Sequence, residues 1–175
     1  MEERLPLVTI MGPTGVGKTD LAISLSKTVS SQIIGVDSVQ VYKGMDIGSG
    51  KPSKDTLDRH PHKLVSFIEP WKSYSTALFI LDATREINLS DRSNKVPLLV
   101  GGTMLYFRSL LSGISRMPEA NQEVRNEISD QAKKYGWGFL HKELSKVDPE
   151  SAQRIHPNDS QRIQRALEVY RVSSK

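Results

Sequence analysis

The residues GPTGVGKT, Gly12 to Thr19, carry the first recognisable chemistry in this chain. They fit G-x-x-x-x-G-K-[ST], in which glycines let successive backbone N–H groups turn toward the oxygens of a phosphate chain. All eight residues, Gly12, Pro13, Thr14, Gly15, Val16, Gly17, Lys18 and Thr19, are candidate phosphate contacts. Lys18 supplies a mobile positive charge for the terminal phosphate, and the Thr19 hydroxyl suits Mg²⁺. A helix opening here adds the favourable field of its N-terminus. Composition alone produces such a match in about one chain in a few hundred of this length, so a ligand-free glycine turn is the poorer reading. The motif points to a phosphate chain; it does not make that chain ATP.

The next candidate is Asp37, in IIGVDSVQVYKGMDIGSGKP, where an apolar run ends on an acid. Open parallel sheets bind ligands at the C-terminal ends of their strands, so Asp37 is expected to face the phosphate site. Its residue type fits a magnesium ligand, a general base or a structural Asx turn. A nucleotide hydrolase often carries a second acid at the end of another strand, but VPLLVGGTMLY ends in Gly101-Gly102. Those glycines allow close backbone approach, and Thr103 either offers a hydroxyl beside the cradle or caps the following helix. Asp46 reads as a turn acid. Lys51 reads as a second phosphate contact or, more commonly, a solvated loop lysine.

Positioning these groups needs strands and helices in alternation. Apolar β-rich runs predict strands at Leu5–Met11, Ile33–Val36, Leu64–Ile68 and Val96–Val100. Helical spacing predicts helices from Gly17 to Val29, from Tyr74 to Leu89 with Ser73 or Ser75 as cap, and from Thr103 to Leu111. This alternation implies parallel pairing in a three-layer α/β core. After Gly113 no β-like run returns, and charged helical segments cover about 120–135, 137–147 and 159–172. Asn158, Asp159 and Ser160 form a capping cluster, and Ile163, Ala166, Leu167 and Tyr170 make one apolar face. The expected division is an α/β core over 1–113 and a helical insertion over 114–175.

The chain has 175 residues, a net charge of +4 and no cysteine. The charge is spread evenly, with an excess of two in each part about Gly113 (13 basic against 11 acidic residues, then 11 against 9). A nucleic-acid partner therefore requires a local patch rather than a global field. The lack of cysteine removes disulfides, thiolate zinc sites and cysteine nucleophiles, and suits a reducing compartment. The opening apolar run is too short for a signal peptide or membrane span, so a cytoplasmic, monomeric protein without membrane contact is expected. His60, His62, His141 and His156 show no metal-binding spacing; His156-Pro157 suggests a structural role.

Four segments in order, GPTGVGKT, VDSVQVYKGMDIGSGKP, PLLVGGTMLYFRSLL and RIHPNDSQRIQRALEVYR, together resemble the tRNA dimethylallyltransferases (tRNA isopentenyltransferases), from Leu7 to Arg171. The resemblance implies a P-loop NTPase-like parallel sheet flanked by helices, with a helical insertion. It implies transfer of a dimethylallyl group from dimethylallyl diphosphate to N6 of the adenosine on the 3′ side of the anticodon. Diphosphate would occupy the cradle and Thr19 would bind Mg²⁺. Asp37 matches the general base, Lys18 would stabilise the leaving diphosphate, and Thr103 would donate near its bridging oxygen. The anticodon stem-loop of tRNA would meet Asp37, Ser38, Val39, Gln40, Thr103, Arg125, Gln161, Arg162, Ile163, Gln164 and Arg165. Arg162 and Arg165, three apart on a capped helix, suit RNA phosphates or bases, although a solvated basic face is the commoner outcome for such a pair.

Family members run on well beyond this length, and Ser49-Gly50 stands where they more often have Thr-Ala. The resemblance therefore places a further core strand, additional tRNA contacts and a diphosphate-binding arginine beyond Lys175. The expectation is a shortened member with final core strand absent, an exposed sheet edge, weak diphosphate binding and little turnover. The rival readings are a P-loop small-molecule kinase, an adenylate isopentenyltransferase acting on free AMP, ADP or ATP, and a phosphate-binding remnant without activity.

Overall fold

Four parallel strands form the centre of the first of two units, Met1–Ile114 and Ser115–Lys175. The computed structural model describes residues 6–113 and 117–173. In chain order the first unit contains β1 (Val8–Met11), α1 (Lys18–Thr28), β2 (Ser31–Val36), α2 (Lys54–Arg59), β3 (His62–Lys63), α3 (Thr76–Arg92), β4 (Val96–Gly101) and α4 (Met104–Ser112). The sheet order is β1-β4-β2-β3, so β4 lies between β1 and β2.

Strand alternation explains the layers. Ile34, Val36 and Leu99 pack on one face with Phe79, Ala83, Tyr106 and Phe107 from α3 and α4. Ile33, Leu98 and Val100 point the other way and meet Ala22 of α1. Successive strand residues alternate faces, which is why runs buried on both sides read as continuously apolar.

The Leu64–Ile68 strand is not present. β3 is only His62–Lys63, because Leu64 and Ser66 adopt positive φ, 59° and 52°, which breaks an extended run. Leu64 is buried in the core all the same, so its apolar character reported burial rather than pairing. The segment instead laces onto the chain after β2: Ser66 N donates to Gln40 O at 2.9 Å, and Phe67 N and Ile68 N both donate to Val41 O. At α3, Ser75 is the cap, accepting from Leu78 N at 3.2 Å.

The second unit is helical: α5 (Gln122–Tyr135), α6 (Trp137–Val147), α7 (Pro149–Arg154) and α8 (Ser160–Ser173). Ile128, Leu140, Leu144, Ala152, Ile163 and Leu167 make its core. From the capping cluster, Asp159 accepts from Arg162 N at 3.1 Å. The expected face of α8 needs one correction. Tyr170 is exposed, and the buried positions beside Ile163 and Leu167 include Glu168. His156 accepts from Asn158 N through Nδ1 at 3.2 Å, shaping the turn before α8.

Candidate functional site

The turn from β1 to α1 bends because Gly15 and Gly17 take φ of 83° and 88°, conformations that cost a side-chain-bearing residue free energy. Gly17 occupies the N-cap, so α1 begins at Lys18 and its first turn faces the loop. A cleft of about 270 Å³ opens there, lined by Thr14, Gly15, Gly17, Lys18 and Thr19. The same cleft is lined by Asp20, Asp37, Gln40, Gly50, Val100 and Gly101. Gly12, Pro13 and Val16 belong to the loop but not to this lining. Lys18 Nζ donates to Pro13 O at 2.7 Å, which keeps the ammonium folded over the loop.

Asp37 reaches the cleft because β2 ends at Val36 beside the end of β4. Gly101 makes that pairing possible: a Cβ there would collide with the Val36 backbone. Asp37 Oδ1 accepts from Val39 N at 2.9 Å and from Gln40 N at 3.2 Å. The Asx-turn reading therefore describes one oxygen, and the carboxylate still lines the cleft. Thr103 sits at the N-cap of α4 but makes no side-chain cap bond. Its hydroxyl instead accepts from Ser38 N at 3.0 Å, tying the residue after Asp37 to the end of β4. Beneath the site, Tyr106 stacks on Phe79 at 4.2 Å. Burial first, then the charges of Tyr42 and Asp37, push the Tyr106 phenol above its ordinary range.

Lys51 fits neither expectation set for it. Its side chain is only 2% exposed, and Nζ donates to Tyr42 O and Asp46 Oδ1, both at 2.7 Å. Asp46 is accordingly an ion-pair partner rather than a plain turn acid.

Side chains with oxygen donors among the lining residues are Thr14, Thr19, Asp20, Asp37 and Gln40, of which Asp20 and Asp37 are carboxylates. Among the described residues no group of three or more His, Cys, Asp or Glu is placed to cage a metal. Hard oxygen donors in small number suit Mg²⁺, which keeps most of its shell as water and substrate phosphate. Asp20 is a cleft acid that sequence reasoning passed over, although it directly follows the motif.

In the helical unit a second cleft of about 370 Å³ is lined by Arg125, Gln161, Arg162, Gln164, Arg165 and Glu168. Five of these were expected together; Glu168, which organises them, was not. Glu168 is fully buried and accepts from Arg125 Nε at 2.9 Å, Arg125 Nη2 at 3.2 Å, Arg165 Nη1 at 2.8 Å and Asn121 N at 2.7 Å. Burial alone would raise its pKa, but the two arginines and the Asn121 amide outweigh it and hold the carboxyl below its ordinary range. Arg165 also donates to Pro118 O at 2.8 Å, and Gln164 to Arg125 O and Ser129 Oγ. Arg125 and Arg165 are thus anchored side chains, whereas Arg162 stays exposed with Asp159 at 3.4 Å. Ile163, expected beside them, instead lies in the helical core at 0% exposure and does not line this cleft.

The IPP transferase family model matches residues 40–175, and the isopentenyl transferase model matches residues 5–62. The full-length tRNA isopentenylpyrophosphate transferase of Bacillus halodurans is 39% identical, with 97% of this chain and 56% of that chain covered at a TM-score of 0.61. The tRNA delta(2)-isopentenylpyrophosphate transferase of Staphylococcus epidermidis is 36% identical, covering 97% and 55% at 0.58. A eukaryotic dimethylallyltransferase acting on tRNA is 29% identical, covering 97% and 42% at 0.78. The chain spans about half the length of the first two structures it matches. With one family model spanning Gln40 to Lys175 and a solved relative 39% identical over 97% of this chain, the chain belongs to the IPP transferase family.

Proposed function

We propose that this chain takes part in transferring a dimethylallyl group from dimethylallyl diphosphate to N6 of the adenosine on the 3′ side of a tRNA anticodon. The observation that carries the reading is the meeting of Lys18, Thr19 and Asp37 in one cleft. Such a cleft has a cationic, amide-rich floor for a diphosphate and a carboxylate at its edge for an amine.

In the proposed reaction N6 of adenosine bonds to the terminal allylic carbon as the carbon–oxygen bond to diphosphate breaks. The pair of electrons leaves with the diphosphate, and the proton of N6 goes to Asp37. Lys18 and the amides of Gly15 and Gly17 meet the charge that grows on the leaving group, where fixed donors stabilise it most. Thr19 would hold Mg²⁺ together with phosphate oxygens, and the ion would supply further neutralisation of that charge. Asp37 is kept in place by the Val39 and Gln40 amides, and a positioned base of this kind contributes about 10²–10⁴-fold. Ser38, Val39, Gln40 and Thr103 surround the same strand end and are the proposed neighbours of the adenine. Arg125, Gln161, Arg162, Gln164 and Arg165 offer donors to the RNA backbone, the usual means of setting register.

The test is incubation with dimethylallyl diphosphate, Mg²⁺ and an anticodon stem-loop, with mass analysis of the RNA. The expected product carries one dimethylallyl unit on that adenosine and none on free AMP. ATP hydrolysis or phosphoryl transfer without prenylated RNA would overturn the reading.

A further inference from the structure

Residues 42–51 form a loop that meets the phosphate cleft at Gly50 and has almost no core of its own. The loop contains Gly44, Gly48 and Gly50, and between them Met45 and Ile47 are exposed. A segment of that composition is normally slack. Yet it comes close to the phosphate loop: Gly50 lines the cleft, and a Cβ on Gly50 would press on Thr14 Cγ2. Its base is pinned by Ser66, Phe67 and Ile68 to Gln40 O and Val41 O, and by Lys43 N, which donates to Ile68 O at 2.8 Å; the span from Gly44 to Lys51 is left to be held otherwise.

We infer that Lys51 is a positioning residue that cinches this loop and thereby sets the width of the phosphate cleft and the direction of Gln40. A buried lysine ammonium must be paired and hydrogen-bonded, and here both partners belong to the loop itself. Nζ donates to Tyr42 O at its start and to Asp46 Oδ1 at its middle, both at 2.7 Å. The Lys51 amide also donates to Ser49 Oγ at 3.3 Å. Ser49 O in turn accepts from Gln40 Nε2 at 3.1 Å, and Gln40 N donates to Asp37 Oδ1 at 3.2 Å. Hydrogen bonds thus link the Lys51 main-chain amide, Ser49, Gln40 and the carboxylate proposed as the base, and the Lys51 side chain bears on them through the loop turn it holds. With two of its three N–H groups given to the protein, Lys51 acts through the loop rather than on the ligand.

This inference rests on the proposed occupancy of the cleft by diphosphate, and its test separates the two. Binding of magnesium diphosphate to the full chain is measured by calorimetry for the parent, Lys51→Met and Asp46→Ala, with melting temperature and amide hydrogen exchange over residues 40–51. For Lys51→Met the expected result is affinity about tenfold weaker and faster exchange over 44–50, since a small misplacement of binding groups is enough for such a loss. Asp46→Ala, which removes only the exposed partner, is expected to weaken binding less and to leave the melting temperature unchanged. A lower melting temperature with unchanged affinity and exchange would make Lys51 a stability residue only and overturn the inference. If Lys51→Met fails to fold, Asp46→Ala decides alone, and parent-like affinity and exchange there overturn it. A parent that binds no diphosphate would sink the occupancy reading, while the exchange comparison would still decide whether Lys51 cinches the loop.

Discussion

Asp37 accepts both of its hydrogen bonds on one oxygen, and that detail decides how its role is best tested. An asparagine keeps a carbonyl oxygen in the same place, so Asp37→Asn retains the Val39 and Gln40 bonds while removing the proton acceptor. With the substitution made in a full-length family member, the expected outcome in a prenyl-transfer assay is a fall in kcat of about 10²–10⁴-fold with diphosphate affinity close to that of the parent. A parallel loss of Mg²⁺-dependent binding would instead make Asp37 a metal ligand. Residues of this kind are legible in a sequence because their chemistry is local: GPTGVGKT builds its own loop, and Asp37 follows its strand directly. Glu168 and Lys51 were not, because a single acid or lysine carries no local pattern that separates a buried, paired charge from a solvated one. Only tertiary packing brings Arg125 to Glu168, 43 residues away, and closes the loop over Lys51.

Among the elements, α8 carries the clearest consequence. Its inner face buries a carboxylate between two guanidiniums that are themselves partly exposed, at 38% and 35% of their side chains. Glu168→Gln removes the charge but leaves both arginines beside the core. Breaking a buried pair from one side destabilises more than the pair stabilises, and partial exposure of the arginines moderates the loss to about 2–3 kcal/mol. Urea denaturation followed by the fluorescence of Trp137, which packs on the helical core, measures this; an unchanged midpoint would mean that the arginines simply turn to water. The long elements followed from apolar periodicity. The six-residue helices α2 and α7 did not, since fewer than two turns leave no period to read, and α2 buries nothing. What marked them was capping: Ser53 accepts from Thr56 N, and Asp148 from Ser151 N with Pro149 at the first helical position. The β3 region was misread for a different reason, positive φ at Leu64 and Ser66, which apolar content does not report.

Across the whole molecule the two units should respond to acid in different windows. In the first unit His62 Nδ1 meets His60 O at 2.6 Å while buried Nε2 has no partner. Burial lowers its pKa below the ordinary 6.5, only partly offset by the His60 carbonyl. The unfolded chain therefore binds this proton more readily, so the contribution is complete above pH 6.5 and declines as pH falls below it. In the second unit Glu168 is depressed below its ordinary 4.5, so its contribution persists above that value and is lost as pH falls through the lower, folded-state pKa. The expected outcome is that strand amides of the first unit begin to exchange faster just below pH 6.5, while Trp137 fluorescence in a Trp71→Phe background stays constant until the carboxylate range. Simultaneous loss of both signals would contradict it. The position of β4 has a further consequence, for the order in which the protein can assemble. β1 and β2 leave the ribosome early but do not pair with each other; each takes β4 as its partner, through Val8↔Leu98 and Ser31↔Val96. Until Val96–Gly101 has emerged, the nascent phosphate loop hangs from a strand with no ladder, and the apolar runs of β1 and β2 stay uncovered for chaperones to meet. The cradle and its carboxylate are then completed together, in the single event that slots β4 between them.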